Sequence, residues 1–188
     1  MGKLKWKPGT MVYPLPAVMV SCGSYENSNI ITVAWTGTIC TDPAMVYISV
    51  RPERYSYNLI KEKGEFVINL TTKDLAFATD FSGVKSGKDV DKFKILGLTK
   101  EKANEVGAPL IKESPVNIEC KVTEIKELGS HHMIIGKVLC VDVDDKYMNE
   151  TGKFCLEDCN LISYSHGQYY NLGENLGKFG FSVAKKKN

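Results

Sequence analysis

The sequence predicts an antiparallel β-barrel with a few flanking helices, and three observations support this fold class. Apolar runs of strand length recur along the 188 residues. In one of them Val116, Ile118, Cys120 and Val122 alternate with polar residues, which is the period-two pattern of a strand with one buried face. These runs do not alternate regularly with helical segments, so a parallel sheet wound with helices is disfavoured.

Seven segments carry the strand prediction, and they are rich in Val and Ile, which favour β-structure. They span residues 17–22, 30–35, 45–50, 66–70, 116–122, 133–143 and 161–164. Gly136 lies inside the sixth segment, where it predicts a bulge or a close approach of backbone. The runs 30–35 and 45–50 can pack as neighbours, because only a short loop joins them.

Two segments carry helical signals. Residues 54–63 place Tyr57, Leu59 and Ile60 near one face, and they end before Gly64, which suits the C-cap of a helix. Residues 73–81 form a second, shorter candidate. The tail 166–188 is too glycine-rich for a stable helix and too aromatic for a free linker, so we expect a packed, extended arm.

Composition limits the classes of function. Hydrophobic residues make up 43% of the chain and charged residues 24%, which is ordinary for one globular domain. The net charge of +2 is too small to indicate a nucleic-acid surface. No apolar run approaches the length of a membrane span, and no signal peptide is evident. We therefore expect a cytoplasmic protein with neither a nucleic-acid nor a membrane partner.

The six cysteines are predicted to be free thiols. Cys155 and Cys159 are separated by three residues, and the sequence has no second closely spaced pair of cysteines to complete a metal site, so none is predicted. Cys120 and Cys140 fall on apolar faces of predicted strands, where thiols pack as small apolar groups.

The start of the first predicted helix has the composition of a phosphate site. Arg51, Arg54 and Ser56 lie where the strand 45–50 leads into the helix. The first N–H groups of a helix are unpaired and carry partial positive charge, and arginines and hydroxyls add charge and hydrogen bonds. Trp35, at the end of a neighbouring strand, offers a flat apolar surface. Together these residues predict a phosphorylated aromatic ligand.

Two common nucleotide motifs are missing from the sequence. The segment Gly83-Val-Lys-Ser-Gly-Lys88 is one residue short of a P-loop, and Asp89 follows where a hydroxyl should stand. No Gly-x-Gly-x-x-Gly opens a helix, so the chain has no Rossmann motif for a nicotinamide cofactor.

The order of several motifs resembles the flavin reductase-like, FMN-binding split-barrel family, in particular its flavoredoxin branch. These motifs are Asn29-x-x-Thr32-Val-x-Trp35, then Asp42-Pro43, then Ser49-Val-Arg-Pro-Glu-Arg-Tyr-Ser56. Segments 86–93, 128–138 and 166–182 extend the resemblance, which runs from about residue 15 to the end.

This resemblance implies a single FMN-binding domain over residues 1–188. The core, at about 15–165, is a split barrel of the Greek-key type, and the arm 166–188 helps to cover the partner in a homodimer. The residues that match FMN contacts of the family are Asn29, Thr32, Trp35, Arg51, Arg54, Ser56, Lys92, His131 and Tyr164.

Two of these assignments depend on the resemblance alone. Composition places Lys92 in a solvated, charge-balanced loop, whereas the resemblance places it beside the flavin phosphate. His131 and His132 must face opposite sides if the strand continues through them. The resemblance selects His131, either as a neutral donor to a flavin oxygen or as an imidazolium, and we expect His132 to be an exposed loop residue.

The implied function is redox chemistry through bound FMN. One possibility is a reductase that takes electrons from NADH or NADPH and passes them to free flavin, to ferric iron or to another acceptor. The other is a flavoredoxin-like carrier that works with a redox partner protein. A non-redox flavin-binding module and a β-barrel that binds another phosphorylated ligand remain as alternatives, and the sequence does not separate these cases.

Overall fold

The structure is a computed structural model that describes residues 2–184, and it consists mainly of β-strands. The strands are β1 (Leu15–Pro16), β2 (Val18–Gly23), β3 (Ser28–Val33), β4 (Thr36–Thr41), β5 (Ala44–Val50), β6 (Glu65–Leu70), β7 (Lys100–Glu101), β8 (Leu110–Ile111), β9 (Val116–Glu127), β10 (His132–Val143), β11 (Ile162–Ser165) and β12 (Gln168–Asn171). The α-helices within that part of the chain are α1 (Tyr55–Lys63), α2 (Ala76–Val84) and α3 (Lys92–Leu96).

Seven strands form one antiparallel sheet in the order β3-β2-β6-β9-β10-β5-β4. β3 and β4 are the two edges of this sheet, yet only Ala34 and Trp35 separate them in the chain. The sheet must therefore curl until its edges meet. The Ser49 N–H donates a hydrogen bond of 2.8 Å to the Trp35 carbonyl, which extends the pairing of β5 with β4 to the residue before β4. The predicted antiparallel barrel is confirmed. A second sheet, β1-β11-β12, lies beside it.

The barrel has an apolar interior and a second apolar layer beneath the helices. Strand β2 is buried on both faces. Its Val18, Val20 and Cys22 point into the barrel core, whereas Met19 packs with Phe93 and the helical layer. Burying one such side chain contributes roughly 1.5–3 kcal/mol, so β2 binds the helices firmly to the barrel.

The first helix begins one residue later than predicted and ends where predicted, and the second is displaced. Helix α1 ends at Gly64, whose φ of 67° is left-handed and whose N–H bonds to the Ile60 carbonyl. Helix α2 begins three residues later than predicted, because the chain first makes a turn in which the Leu75 N–H bonds to the Thr72 carbonyl. No helix among residues 2–184 is long and apolar enough to cross a membrane.

All seven predicted strands are present, but the prediction missed β4, β12, α3 and three two-residue strands. The predicted strand 30–35 ends at Val33, and β4 rather than β3 pairs with β5. Gly37 made β4 difficult to recognise, since glycine is disfavoured in strands. A Cβ at Gly37 would lie 3.1 Å from the Tyr47 ring, so the absence of a side chain there admits the tyrosine.

All six cysteines are free thiols, as predicted. Cys120 is fully buried in the barrel core, which confirms its assignment. The assignment of Cys140 to the core was wrong: its thiol is partly exposed and lies 3.8 Å from a carboxylate oxygen of Asp142.

The C-terminal arm begins as predicted and then leaves the barrel. Its first part is β12, which pairs with β11. Beyond β12 the apolar side chains of Leu176, Phe179 and Phe181 are exposed, so this part of the arm does not pack on its own barrel. The last four residues of the predicted arm lie outside the described part of the chain.

Gly136 lies at a register shift between β9 and β10, which confirms the predicted bulge. A Cβ there would lie 2.9 Å from Phe66 Cζ and 3.2 Å from Cys120 Cβ. We expect Gly136→Ala to lower the free energy of unfolding in urea by about 1–3 kcal/mol, because overpacking a tight core costs that much. Gly173→Ala is the control, since nothing lies within 4 Å of its Cβ position. Equal stabilities of the two variants would contradict this packing.

Candidate functional site

Two cations meet at the start of α1 without a carboxylate between them. Lys92 is only 3% exposed, and its Nζ donates to the carbonyls of Ile30 at 2.5 Å and Ser82 at 2.8 Å. Arg54 donates from Nη2 to the Gly83 carbonyl at 2.5 Å. Neither side chain forms a salt bridge within residues 2–184. The solvated loop position that composition suggested for Lys92 was therefore wrong.

The surroundings of Lys92 disfavour its own charge. Burial and, to a lesser extent, the positive charge of Arg54 lower the pKa of its ammonium to about 8. A buried cation is costly unless it is paired. An anion bound between Lys92 and Arg54 would supply the missing partner.

Ser56, at the helix start, lies beside these two cations. We refer to Arg54, Lys92 and the neighbouring Ser56 as the cation cluster. Ser56 is buried in the first turn of α1, and its Oγ accepts a 2.7 Å hydrogen bond from the Asn29 amide. The first turn has neither an acidic residue nor a side-chain cap. The Tyr57 N–H donates to the Arg54 carbonyl, which leaves the N–H groups of Tyr55 and Ser56 to bind an anion. Gly87 closes one side, since a Cβ there would overlap Asn29.

An aromatic cleft of about 290 Å³ lies next to the cation cluster. Trp35 and Tyr164 form two of its walls, with their ring centroids 6.5 Å apart. Thr32 backs the cleft and donates its hydroxyl to the Thr79 carbonyl. Flat aromatic walls suit a planar ring.

Gly83 connects the cleft and the cation cluster. It lines the aromatic cleft, and its carbonyl accepts the hydrogen bond from Arg54. The two sites therefore adjoin, and their chemistry matches a single ligand with a planar ring at one end and a phosphate at the other.

His131 and Arg51 have different positions relative to the cleft. His131 lines it, and burial and the charge of Arg51 lower the pKa of its imidazole, so the ring is neutral at pH 7. Arg51 itself is exposed and pairs with Glu53 at 2.9 Å. Eight of the nine predicted site residues line either the aromatic cleft or a small cavity at the cation cluster, and Arg51 lines neither.

His132 is not the exposed loop residue that we expected. It is the first residue of β10, and its Nδ1 lies 2.8 Å from the Tyr57 hydroxyl. The two rings meet edge to face with centroids 5.2 Å apart. His131 and His132 thus face different sides of the strand, as the alternation predicted.

Comparisons with known proteins identify the family of this chain. The family model of the flavin reductase like domain matches residues 10–173. The chain belongs to this family.

Relatives support the assignment along nearly the whole chain. An uncharacterised protein of Pyrococcus abyssi is 33% identical over 166 residues, which cover 88% of this chain and 95% of that protein. The structure of a flavoredoxin of Desulfovibrio vulgaris (Miyazaki F) is similar with a TM-score of 0.89 and 30% identity, covering 97% of this chain and all of that one. A flavoredoxin from Methanosarcina acetivorans shares the fold with a TM-score of 0.86 and 24% identity, covering 98% and 100% of the two chains.

The sequence of this flavin reductase-like protein did not indicate that Asp80 and Tyr169 belong to the site. Both line the aromatic cleft, and the Tyr169 hydroxyl donates to Asp80 at 3.3 Å. Burial and, to a lesser extent, the Asp80 carboxylate raise the pKa of Tyr169 to about 12. The bond ties β12 to α2 across the cleft. The two residues are 89 positions apart, and neither belongs to a local motif that signals the contact.

One group of potential metal ligands exists among residues 2–184. Atoms of Glu119, Cys140 and Asp142 lie within 4.8 Å of one another. However, the buried Glu119 carboxylate already accepts hydrogen bonds from the N–H groups of residues 104–106. Because these donors satisfy the carboxylate, we assign no metal here.

The histidine pair gives a test of register. We expect His132→Ala to lower the free energy of unfolding by about 1–2 kcal/mol, because it leaves the Tyr57 hydroxyl without its partner. We expect His131→Ala to change stability by less than about 0.5 kcal/mol, as is usual for residues outside the core. Combining His132→Ala with Tyr57→Phe should cost less than the sum of the two. A sensitive His131 with an insensitive His132 would show that the facing of β10 is wrong.

Proposed function

We propose that this flavin reductase-like protein binds FMN and transfers electrons through it. The observation that carries the proposal is the pair of cations, Arg54 and Lys92, that line one small cavity without a carboxylate. A phosphate dianion matches their charge, and the adjoining aromatic cleft matches a planar ring.

In this proposal the phosphate lies at the start of α1. Arg54 and Lys92 supply charge, and the first N–H groups of the helix supply donors. Since the Ser56 oxygen accepts its hydrogen bond from Asn29, its own O–H is free to donate to a phosphate oxygen. Asn29 thereby orients Ser56.

The flavin ring then occupies the aromatic cleft against the walls formed by Trp35 and Tyr164. His131 contributes a neutral imidazole. Its Nδ1 lies 3.0 Å from the Ser130 hydroxyl. With that hydroxyl as donor to Nδ1, the proton of the neutral ring is on Nε2, which can then donate to a flavin oxygen. Bound FMN would supply the one- and two-electron redox chemistry, and the residues here hold and orient it.

We propose two sources of electrons for this site. Family membership and the similarity to a flavoredoxin support electron transfer by the flavin, either from NADH or NADPH or from a redox partner protein. A nicotinamide cofactor would have to bind against the flavin, because the chain carries no Rossmann motif. Anaerobic stopped-flow mixing of the FMN-loaded protein with NADH or NADPH decides between them: loss of flavin absorbance identifies a reductase, and no loss identifies a carrier.

We also propose that the protein works as a homodimer in the cytoplasm. The exposed apolar side chains of the arm, at Leu176, Phe179 and Phe181, would be covered by a second copy. The six free thiols support a reducing compartment. Light scattering of the purified protein at several concentrations measures the mass of the assembly.

The phosphate site predicts a difference between FMN and riboflavin. Replacing Arg54 and Ser56 together by Ala should lower the affinity for FMN by tenfold or more, since a charge-assisted hydrogen bond contributes roughly 1.5–3 kcal/mol. The affinity for riboflavin, which lacks the phosphate, should change little. The control is Lys61→Ala, an exposed lysine near the other end of α1. Titration of the apoprotein gives both affinities. Equal losses for the two ligands would place the phosphate elsewhere, and no binding of either would refute the flavin proposal.

The pKa of Lys92 predicts a pH dependence of the same affinity. As pH rises from about 7 to 9 it passes the value of about 8, and Lys92 loses its charge. The FMN phosphate stays fully ionised over this range, since its second pKa is about 6. We therefore expect FMN affinity to fall as pH rises and riboflavin affinity to stay constant. Parallel pH profiles for the two ligands would show that Lys92 does not face the phosphate.

A further inference from the structure

A second cleft lies on the other side of Trp35. It has a volume of about 370 Å³ and is bounded by the N-terminal segment, through Met11, Val12 and Tyr13, and by Tyr47 on β5. It shares Trp35 and Ser49 with the aromatic cleft. A ligand here would thus be separated from the proposed flavin ring by a single side-chain layer.

The lining of this second cleft is uncharged. None of its nine residues is Asp, Glu, Lys, Arg or His. The aromatic cleft, in contrast, includes Asp80 and His131 and adjoins the cation cluster. Because a charged ligand is costly to desolvate without partners, the second cleft disfavours phosphates, carboxylates and sulfonates.

The shape of the lining favours a flat ring. Tyr13 meets Trp35 edge to face, with ring centroids 6.4 Å apart and an interplanar angle of 63°. Tyr47 supplies a third aromatic side chain. Met11 is 56% exposed and Val12 more so, which leaves apolar surface that a ligand in the cleft would cover. The volume exceeds that of a two-ring molecule.

We propose that the second cleft binds the electron acceptor of the flavin, and that this acceptor is an uncharged, planar quinone. The inference rests on the proposed function, whose flavin would be the electron donor. Reduced flavin gives up two electrons and two protons to become oxidised flavin. The quinone takes up two electrons and two protons, and its two carbonyl oxygens become the hydroxyls of a hydroquinone.

Binding to the flavin-free protein tests the site directly. Calorimetric titration with 2-methyl-1,4-naphthoquinone should show saturable binding. Titration with 1,4-naphthoquinone-2-sulfonate, which adds one negative charge to the same ring system, should show affinity weaker by about tenfold or more, because the cleft offers that charge no partner. Equal affinities for the two compounds, or no binding of the uncharged one, would overturn the proposal.

A charge introduced into the lining tests the location. Met11→Glu should lower the affinity for the uncharged quinone by about tenfold, since the new carboxylate would lose water when the ring binds. Ile95→Glu is the matched control, because Ile95 on α3 is 55% exposed and does not line the cleft. Equal quinone affinities of the two variants would show that the quinone binds elsewhere.

Two further readouts separate this proposal from the flavin proposal. FMN titration of the same preparations should give equal affinities for both variants, and a protein that fails to bind FMN refutes the proposed function by itself. In the FMN-loaded protein reduced with dithionite, anaerobic addition of the uncharged quinone below saturation should restore the flavin absorbance about tenfold more slowly in Met11→Glu than in Ile95→Glu. Equal rates would exclude the second cleft as the route of the electrons.

Discussion

The closure of the barrel at Trp35 is the constraint on which the functional site depends. Two residues, Ala34 and Trp35, join opposite edges of a seven-stranded sheet, and the Ser49 N–H donates to the Trp35 carbonyl just before β4 begins to pair with β5. A short connection between distant edges leaves the sheet no flat alternative. It also fixes Trp35 at the seam, where its side chain separates two clefts instead of joining the core.

The cation cluster works against the stability of the unliganded protein. The pKa of Lys92 is about 8 in the folded chain and 10.5 as its ordinary value, so between these limits the unfolded chain binds more protons. The contribution of Lys92 to stability therefore rises with pH through this window. A bound phosphate reverses the preference, because it favours the charged ammonium. The site thus keeps an electrostatic cost in the folded protein that an anionic ligand removes.

Features with local causes could be predicted from the sequence. The alternation in β9, the bulge at Gly136 and the end of α1 at Gly64 follow from a few neighbouring residues. Arg54 and Ser56 were predicted as site residues because a helix start binds anions by its own backbone. Contacts between distant segments could not be predicted in this way. The bond between Asp80 and Tyr169 is such a contact.

Burial was the other quantity that the sequence did not contain. Lys92 lies among charged residues in the chain, and only the packing of α3 against β3 and the end of α2 removes it from water. The same holds for Cys140, which an apolar run suggested was in the core, although the face of β10 that carries it is open. A strand pattern predicts which residues share a face, whereas the layers packed on that face decide their exposure.

The distribution of charge gives the whole site a direction. Cations gather at one end, around the start of α1, while the far side of Trp35 has no charged lining. A ligand with a phosphate and an aromatic ring can bind this arrangement in one orientation only, because the reverse would bury the phosphate against apolar and aromatic walls. The fixed orientation sets which edge of the ring meets Trp35. Electrons that leave the ring towards the second cleft would then enter a region suited to an uncharged molecule, and a charged nicotinamide nucleotide would have to approach from another side.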